Sequence, residues 1–430
     1  MAVNNKQIIS NPRTGEQYTR IKHSSGCTVC LCHMPLFTST HALFGCKYGS
    51  IDSTFKTNRD NGYVTVPEGI AHFLEHKLFE NEECDAFKLY AETGANANAY
   101  TSFDKTAYLF TCTGEFRRNL EILLDFVQKP YFTDETVQKE QGIIAQEIKM
   151  YDDDPNWRVF FNALEAVYHN NPVRINIAGT TDSIAKIDKD LLYRCYNTFY
   201  NLNNMVLSIA GDFGGLTEDE VLEICDRLLI PAEDIALESV IPDEPYEVQA
   251  KTALVTLPVG MPLFQIMFKL PNSYADDPAQ CVKHNIMLEM ALGKSSAFYN
   301  SAYESGLINE TFSVSVFDGR GFFVCIIDGE AREPERVYAA VCSELKRLKQ
   351  DGLCEKDFAR IKKQTYGEFV GHLTSVESVA SSMLNAELSG IDMNAYTMLE
   401  LAAAVGFDDI VATLTAFDVD NAVLSVCRGD

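Results

Sequence analysis

The chain has 430 residues and a formal net charge of −25, and 46% of its residues are hydrophobic. This length suggests two domains of about 200 residues each, near the upper end of the usual range. The strong negative charge argues against a nucleic-acid partner, because binding to phosphates requires clusters of lysine and arginine.

The N-terminal stretch, MAVNNKQIISNPRTGEQY, is polar and lacks the apolar segment of a secretory signal. No apolar run approaches the roughly 20 residues that a membrane helix needs. We therefore expect a cytoplasmic protein with no membrane partner, in which the 13 cysteines stay reduced. Cys27, Cys30 and Cys32 lie in a segment that alternates like a strand, which favours buried strand cysteines over a second metal site.

The stretch GIAHFLEHKLFE, residues 69–80, predicts a helix that bears His72, Glu75 and His76 on one face. Histidines at positions i and i+4 can bind one zinc ion, and a catalytic zinc needs a third protein ligand and an open position for water. Glu75 stands where it can accept a proton from that water. The pattern is HxxEH, the inverse of the HExxH of thermolysin-like enzymes. The alternative is a solvated polar helix face.

A second predicted helix, at residues 133–155, offers the third ligand. Glu140 and Glu147 are seven residues apart, on the same face as Ile143 and Ile144. A carboxylate that faces a core is costly unless it is paired or bound to a metal. Glu147 as ligand resolves this cost, and Glu140 can accept the second N–H of a ligating histidine. The alternative is that both are surface charges.

An internal repeat links the two halves of the chain. Residues 189–212 and 407–430 both read as helix, turn and strand, and Asn204 aligns with Asn421. Self-similarity at such a long period indicates a duplicated domain.

A proline-rich and acidic stretch separates the two copies. We predict an N-terminal domain at 1–228, a linker at 229–250 and a C-terminal domain at 251–430. Strands and helices mix without strict alternation. This predicts an α+β fold of two similar domains, each a largely antiparallel sheet with helices packed on one face.

These motifs together resemble the insulinase/pitrilysin family of zinc peptidases, the inverzincins, and above all its bacterial, processing-peptidase-like members of this length. The matching stretches are 69–80, 93–112, 140–148, 171–212 and, in the second half, 292–308. The resemblance implies a LuxS/metallohydrolase-like fold of the processing-peptidase type, in which two duplicated units close as a clamshell.

The resemblance also implies the roles of single residues. It makes His72, His76 and Glu147 the ligands of one Zn²⁺ per chain, Glu75 the general base and Glu140 the carboxylate that supports the ligands.

The stretch NAYTS, residues 98–102, resembles the family's edge strand that pairs with the substrate backbone. Asn98 and Ala99 would then contact the peptide. Substrates are expected to be short or unfolded peptides.

The second half departs from the family pattern. Active single-chain relatives have an arginine and a tyrosine near the positions of Ala302 and Asn309, and HNIMLEM at 284–290 does not rebuild a metal site. We therefore expect a heterodimer, in which a zinc-less family member supplies the Arg/Tyr pair, or else a homodimer with a weaker or differently built oxyanion site. The competing hypothesis is a non-catalytic scaffold or peptide-binding subunit, a class that generally loses the metal residues.

Overall fold

The computed structural model describes residues 5–82 and 85–429, and the described chain divides into two compact units. The first unit contains the residues up to Gln146, with Ile177–Val240 and Gly371–Tyr396. The second unit contains Glu147–Asn176, Ile241–Val370 and the residues from Thr397 onward. Each unit therefore takes one segment from the opposite half of the sequence.

The chain leaves the first unit for the second at Val240, inside the predicted linker. The division of the chain into contiguous folding domains stays a prediction. That prediction does not include the exchange of residues 147–176 and 371–396 between the two units.

The strands are β1 (Asn5–Ser10), β2 (Gln17–Lys22), β3 (Thr28–His33), β4 (Thr40–Cys46), β5 (Thr54–Thr57), β6 (Val64–Thr65), β7 (Asn96–Thr101), β8 (Thr106–Cys112), β9 (Met205–Gly211), β10 (Leu237–Ser239), β11 (Thr252–Thr256), β12 (Leu263–Lys269), β13 (Ser313–Gly319), β14 (Phe322–Glu330) and β15 (Ala422–Arg428).

The α-helices are α1 (Ile70–Leu78), α2 (Ala86–Thr93), α3 (Phe116–Val127), α4 (Asp134–Asp152), α5 (Pro155–Val167), α6 (Thr181–Ile184), α7 (Lys189–Phe199), α8 (Glu218–Leu228), α9 (Pro278–Ala291), α10 (Ala297–Glu304), α11 (Pro334–Asp351), α12 (Glu355–His372), α13 (Val376–Leu388), α14 (Thr397–Ala404) and α15 (Phe407–Ala416).

The main sheet of the first unit has the strand order β1-β2-β3-β9-β4-β8-β7, and a small sheet β10-β5-β6 lies in the same unit. All neighbours in the main sheet are antiparallel except β3 and β9, which are parallel. Strands β4 and β9 are buried along their whole length. Burial of every residue in a strand requires that both faces of the sheet be covered.

Two helices from different parts of the chain cover these faces. On one face, Phe126 of α3 packs edge-on against Tyr108 with ring centroids 5.8 Å apart. On the other face, Ser208 Oγ donates to the carbonyl of Ala380 in α13 at 2.7 Å. The sequence predicted helices on one face, and the exchanged helix α13 covers the second.

The sheet of the second unit has the strand order β11-β15-β12-β14-β13, with β11 and β15 parallel and the other pairs antiparallel. One face is buried against α9, where Ile266, Phe268 and Ile286 are part of one apolar core. The exchanged helix α5 packs on the other face, where Lys269 Nζ donates to the carbonyl of Val167 at 3.1 Å.

The two units repeat one topology, since β3-β9-β4-β8-β7 corresponds to β11-β15-β12-β14-β13. The aligned asparagines make matching hydrogen bonds. Asn204 Nδ2 donates to the carbonyl of Lys47, after β4, at 3.1 Å, and Asn421 Nδ2 donates to that of Lys269, at the end of β12, at 3.1 Å. The predicted duplication and the α+β class are both confirmed.

Two further expectations concern membranes and cysteines. Within the described ranges, no helix has the combination of length and apolarity that crossing a bilayer demands. Cys27, Cys30 and Cys32 are buried, the latter two in β3, as predicted. Burial raises the pKa of the Cys27 thiol to about 12, which keeps it protonated and unreactive at neutral pH.

Candidate functional site

A glycine opens the helix that bears the HxxEH motif. Gly69 has a φ of +87°, and a Cβ there would lie 2.4 Å from the carbonyl oxygen of Ala178. Only glycine meets both conditions without strain. The helix then buries Phe73 and Leu74 completely, while Glu75 stays half-buried on the other side.

The structure brings the three predicted metal ligands together. One ligand atom from each of His72, His76 and Glu147 lies within 4.8 Å of the others. Around one zinc ion with bonds near 2.1 Å, tetrahedral ligand atoms lie about 3.4 Å apart, so this group closes on an ion with small side-chain rotations. Among the described residues, no other group of His, Cys, Asp and Glu meets this criterion.

Helix α4 supplies Glu147. The division between the two units falls within this helix, between Gln146 and Glu147, but α4 itself is continuous from Asp134 to Asp152. Its start is capped, because Thr133 Oγ1 accepts the backbone N–H of Thr136 at 3.2 Å.

Glu140, two turns before Glu147 on α4, holds the ring of His76. Its Oε1 lies 3.0 Å from His76 Nδ1, and the residue is 8% exposed. Burial alone would raise the pKa of Glu140, but the hydrogen bond with His76 and nearby lysine charge hold it below its usual value. The carboxylate is therefore ionised and accepts the Nδ1–H, which leaves the Nε2 lone pair of a neutral His76 for a metal.

The predicted general base is tied to the predicted substrate strand. Thr101 Oγ1, at the end of β7, donates to Glu75 Oε2 at 3.0 Å. This bond orients the carboxylate beside the two histidines of its own helix.

Strand β7 forms one edge of the seven-stranded sheet and pairs only with β8 in it. Asn98 is exposed and Ala99 is half-buried. The backbone N–H of Ser102 donates to the carbonyl of Lys105 at 2.8 Å, and bonded pairs alternate along antiparallel strands, so the N–H of Ala99 points away from β8. It donates to Asn98 Oδ1 at 2.9 Å. The strand can therefore accept a further strand along its free edge.

The second half contains neither residue of the Arg/Tyr pair at the predicted positions. Ala302 is buried in α10, and Asn309 Oδ1 accepts the backbone N–H of Thr311 at 2.9 Å.

His284 is buried in α9, where its Nδ1 donates to the carbonyl of Gln280 at 2.8 Å. Burial lowers the pKa of His284 to about 4, so it is a neutral core histidine.

Sequence reasoning missed two residues of this site, Thr101 and Tyr151. Tyr151 Oη donates to Glu147 Oε1 at 2.6 Å, one helical turn after the proposed ligand. The i, i+4 spacing on α4 was a usable signal for this contact. No local signal links Thr101 to Glu75, because the pairing depends on the packing of β7 against α1.

Two models of a known family match the chain. Residues 65–181 match the model described as insulinase (peptidase family M16), and residues 186–365 match the one described as the peptidase M16 inactive domain. Over 419 residues the chain is 40% identical to YmfH, called a zinc protease, from Bacillus subtilis (strain 168), with 95% of both chains covered.

This chain belongs to peptidase family M16.

Other M16 proteins are similar to it over shorter stretches. The beta subunit of the mitochondrial-processing peptidase of Bos taurus is 30% identical over 161 residues, which cover 36% of this chain and 32% of that protein.

Solved structures agree with the family. An M16-like peptidase from Alicyclobacillus acidocaldarius matches with a TM-score of 0.90 and 32% identity, over 100% of this chain and 99% of the other. Pitrilysin matches with a TM-score of 0.75 and 14% identity, over 99% of this chain and 46% of its own, which shows the shared fold alone. The resemblance predicted from the sequence motifs is confirmed.

Proposed function

We propose that this chain is a cytoplasmic zinc endopeptidase that cleaves short or unfolded peptides bound as an added β-strand. The proposal is carried by one observation, the convergence of His72, His76 and Glu147 within 4.8 Å beside Glu75. The zinc proteases among the M16 relatives support the same reading.

The residues present fit one zinc ion per chain. Two imidazole nitrogens and one carboxylate are a ligand set that catalytic zinc sites use, with a fourth position left open. The bond between His76 and Glu140 fixes the ring and its tautomer, as is usual for metal-ligating histidines.

In the proposed reaction, a bound zinc ion would lower the pKa of a water molecule and polarise the scissile carbonyl. Glu75, oriented by Thr101, accepts the proton of the attacking water and passes it to the leaving amine. Glu140 keeps the His76 ring in place throughout.

The peptide is proposed to pair with the free edge of β7. The outward N–H of Ala99 would donate to a substrate carbonyl, after the side chain of Asn98 moves off it. Main-chain bonds of this kind depend little on the peptide's sequence, so the site suits many extended peptides.

The active site is proposed to be completed by a second subunit. Because Ala302 and Asn309 stand where relatives have arginine and tyrosine, donors for the oxyanion must come from elsewhere. A zinc-less M16 chain in a heterodimer is our first choice. A homodimer with a differently built oxyanion site is the second.

A non-catalytic scaffold is the alternative from a different class. The intact group of His72, His76 and Glu147 argues against it, because a scaffold has no need to keep two histidines and a carboxylate converged.

The substitution Glu75→Gln tests the proposal. It keeps the shape of the side chain but cannot accept the proton, so turnover of an unstructured peptide should vanish while zinc content stays at one per chain. Glu135→Gln, on the exposed first turn of α4, is the matched control and should keep full activity. Full activity of a pure, zinc-loaded Glu75→Gln protein would remove Glu75 from the role of base.

A further inference from the structure

Tyr151 lies one turn after Glu147 on helix α4, and its hydroxyl donates to Glu147 Oε1 at 2.6 Å. A hydrogen bond of this length from a neutral hydroxyl to a carboxylate is short and charge-assisted. It therefore restricts rotation of the Glu147 carboxylate about its terminal bond.

The ring of Tyr151 is held by something other than this bond. It stacks on Trp157 with ring centroids 4.3 Å apart and planes 12° from parallel, and Trp157 in turn contacts Phe161 at 4.9 Å. Trp157 is itself fixed in the first turn of α5, where its backbone N–H donates to Asp154 Oδ1 at 3.0 Å. The stack thus sets the position of the hydroxyl independently of Glu147.

We infer that Tyr151 is a positioning residue for Glu147, the third proposed metal ligand. The stacking of Tyr151 on Trp157 in turn holds the Tyr151 ring in place. The inference rests on the proposed function, because it takes Glu147 as a zinc ligand. A carboxylate that is already oriented loses less rotational freedom when it binds an ion. Outer partners of this kind typically contribute a factor of 10–100 to metal affinity. Tyr151 would then do for Glu147 what Glu140 does for His76.

The substitution Tyr151→Phe removes the hydroxyl and keeps the ring. Zinc affinity, measured by competition with a chelator, should weaken by about 10–100-fold. The matched control is Tyr246→Phe, because Tyr246 Oη also donates to a carboxylate, Asp418 Oδ2 at 3.3 Å, outside the metal group. That variant should bind zinc like the wild type.

Trp157 is the only tryptophan of the chain, so its emission reports on the stack. Zinc-free Tyr151→Phe should show the wild-type spectrum, which establishes that the ring is still in place.

A second test uses the background Glu147→Ala, where zinc binds only through the histidines. If Tyr151 acts through Glu147, adding Tyr151→Phe to this background changes the residual affinity no further. A further loss there would overturn the inference.

The outcomes separate the inference from the proposed function. Wild-type protein that binds no zinc after reconstitution would contradict both the proposed function and the positioning role of Tyr151. Wild-type protein that binds zinc, with Tyr151→Phe equal to it, would overturn only the positioning role. At saturating zinc, kcat and KM of Tyr151→Phe should return to wild-type values. A loss of kcat that persists there would mean that Tyr151 contacts the reacting groups, and would also overturn it.

Discussion

The ring of His76 is held by the carboxylate of Glu140, whose Oε1 lies 3.0 Å from Nδ1. The two residues come from different helices, α1 and α4, and Glu140 is 8% exposed. Burial of a carboxylate is costly unless the group is paired, and His76 is the partner that offsets this cost for Glu140.

The first prediction concerns this pair. Glu140→Ala should weaken zinc binding by about 10–100-fold, because the His76 ring loses the partner that sets its orientation and tautomer. Chelator competition measures the affinity. Glu135→Ala, at an exposed position of the same helix, serves as the control and should bind zinc normally. Equal affinity of Glu140→Ala and wild type would show that Glu140 has no part in the site.

The second prediction concerns stability. A metal that binds only the native state raises its stability by about 2.7 kcal/mol when present at 100 times its dissociation constant. Zinc should therefore raise the thermal midpoint of the wild type, and removal by a chelator should reverse the shift. His72→Ala lacks one proposed ligand, so it should show a much smaller shift. A shift of equal size in that variant would mean that zinc acts at another site.

The third prediction concerns the edge of strand β7. Ala99→Pro removes the outward N–H, which donates to Asn98 Oδ1 in the structure. The strand itself should persist, because edge strands tolerate proline. The loss of one main-chain bond to the peptide should lower kcat/KM by about tenfold, with zinc content unchanged. Ala99→Gly keeps the N–H and should stay near wild type. A similar loss in both variants would point to the side chain and not to the strand pairing.

The fourth prediction concerns a buried ion pair in the second unit. Lys269 Nζ donates to Glu244 Oε1 at 2.7 Å, and both side chains are almost fully buried. Glu244 also accepts backbone N–H groups of residues 169–171. Glu244→Ala leaves the lysine charge unpaired, so it should destabilise the protein by about 3–5 kcal/mol in urea unfolding. Glu233→Ala breaks the exposed pair with Arg59 and should cost at most about 1 kcal/mol.

The same pair predicts a pH dependence. Burial would raise the pKa of Glu244, but the hydrogen bonds from Lys269 and the backbone hold it below its ordinary value of 4.5. Its contribution to stability is therefore complete above that value and is lost as pH falls through the lower, folded pKa. The wild type should lose more stability than Glu244→Gln as pH drops below 4.5. Parallel profiles of the two proteins would contradict this assignment.

The sequence was sufficient to predict the duplication, because its signal is local. Each copy ends in helix, turn and strand, and the asparagine of the turn, Asn204 or Asn421, bonds a carbonyl in the equivalent place. The HxxEH spacing likewise determines which residues share one face of α1.

The exchange of α5 and α13 between the units could not be predicted in this way. Apolar periodicity shows that a helix has a buried face, but it does not identify the sheet against which that face packs. Ser208 Oγ, for example, donates a hydrogen bond to the carbonyl of Ala380, 172 residues away in sequence. Contacts such as Thr101 with Glu75 have the same origin, since they exist only after β7 has docked beside α1.

The most direct test of the proposed function is to measure zinc content and peptidase activity on the same purified sample. The substrate is a quenched fluorescent, unstructured peptide, tested with the chain alone and with a zinc-less M16 chain from the same genome. We predict one zinc per chain, and hydrolysis that depends on the second chain or rises strongly with it. A chain that takes up no zinc after reconstitution, or that holds zinc and cleaves no peptide in either sample, would contradict the proposal and favour the scaffold.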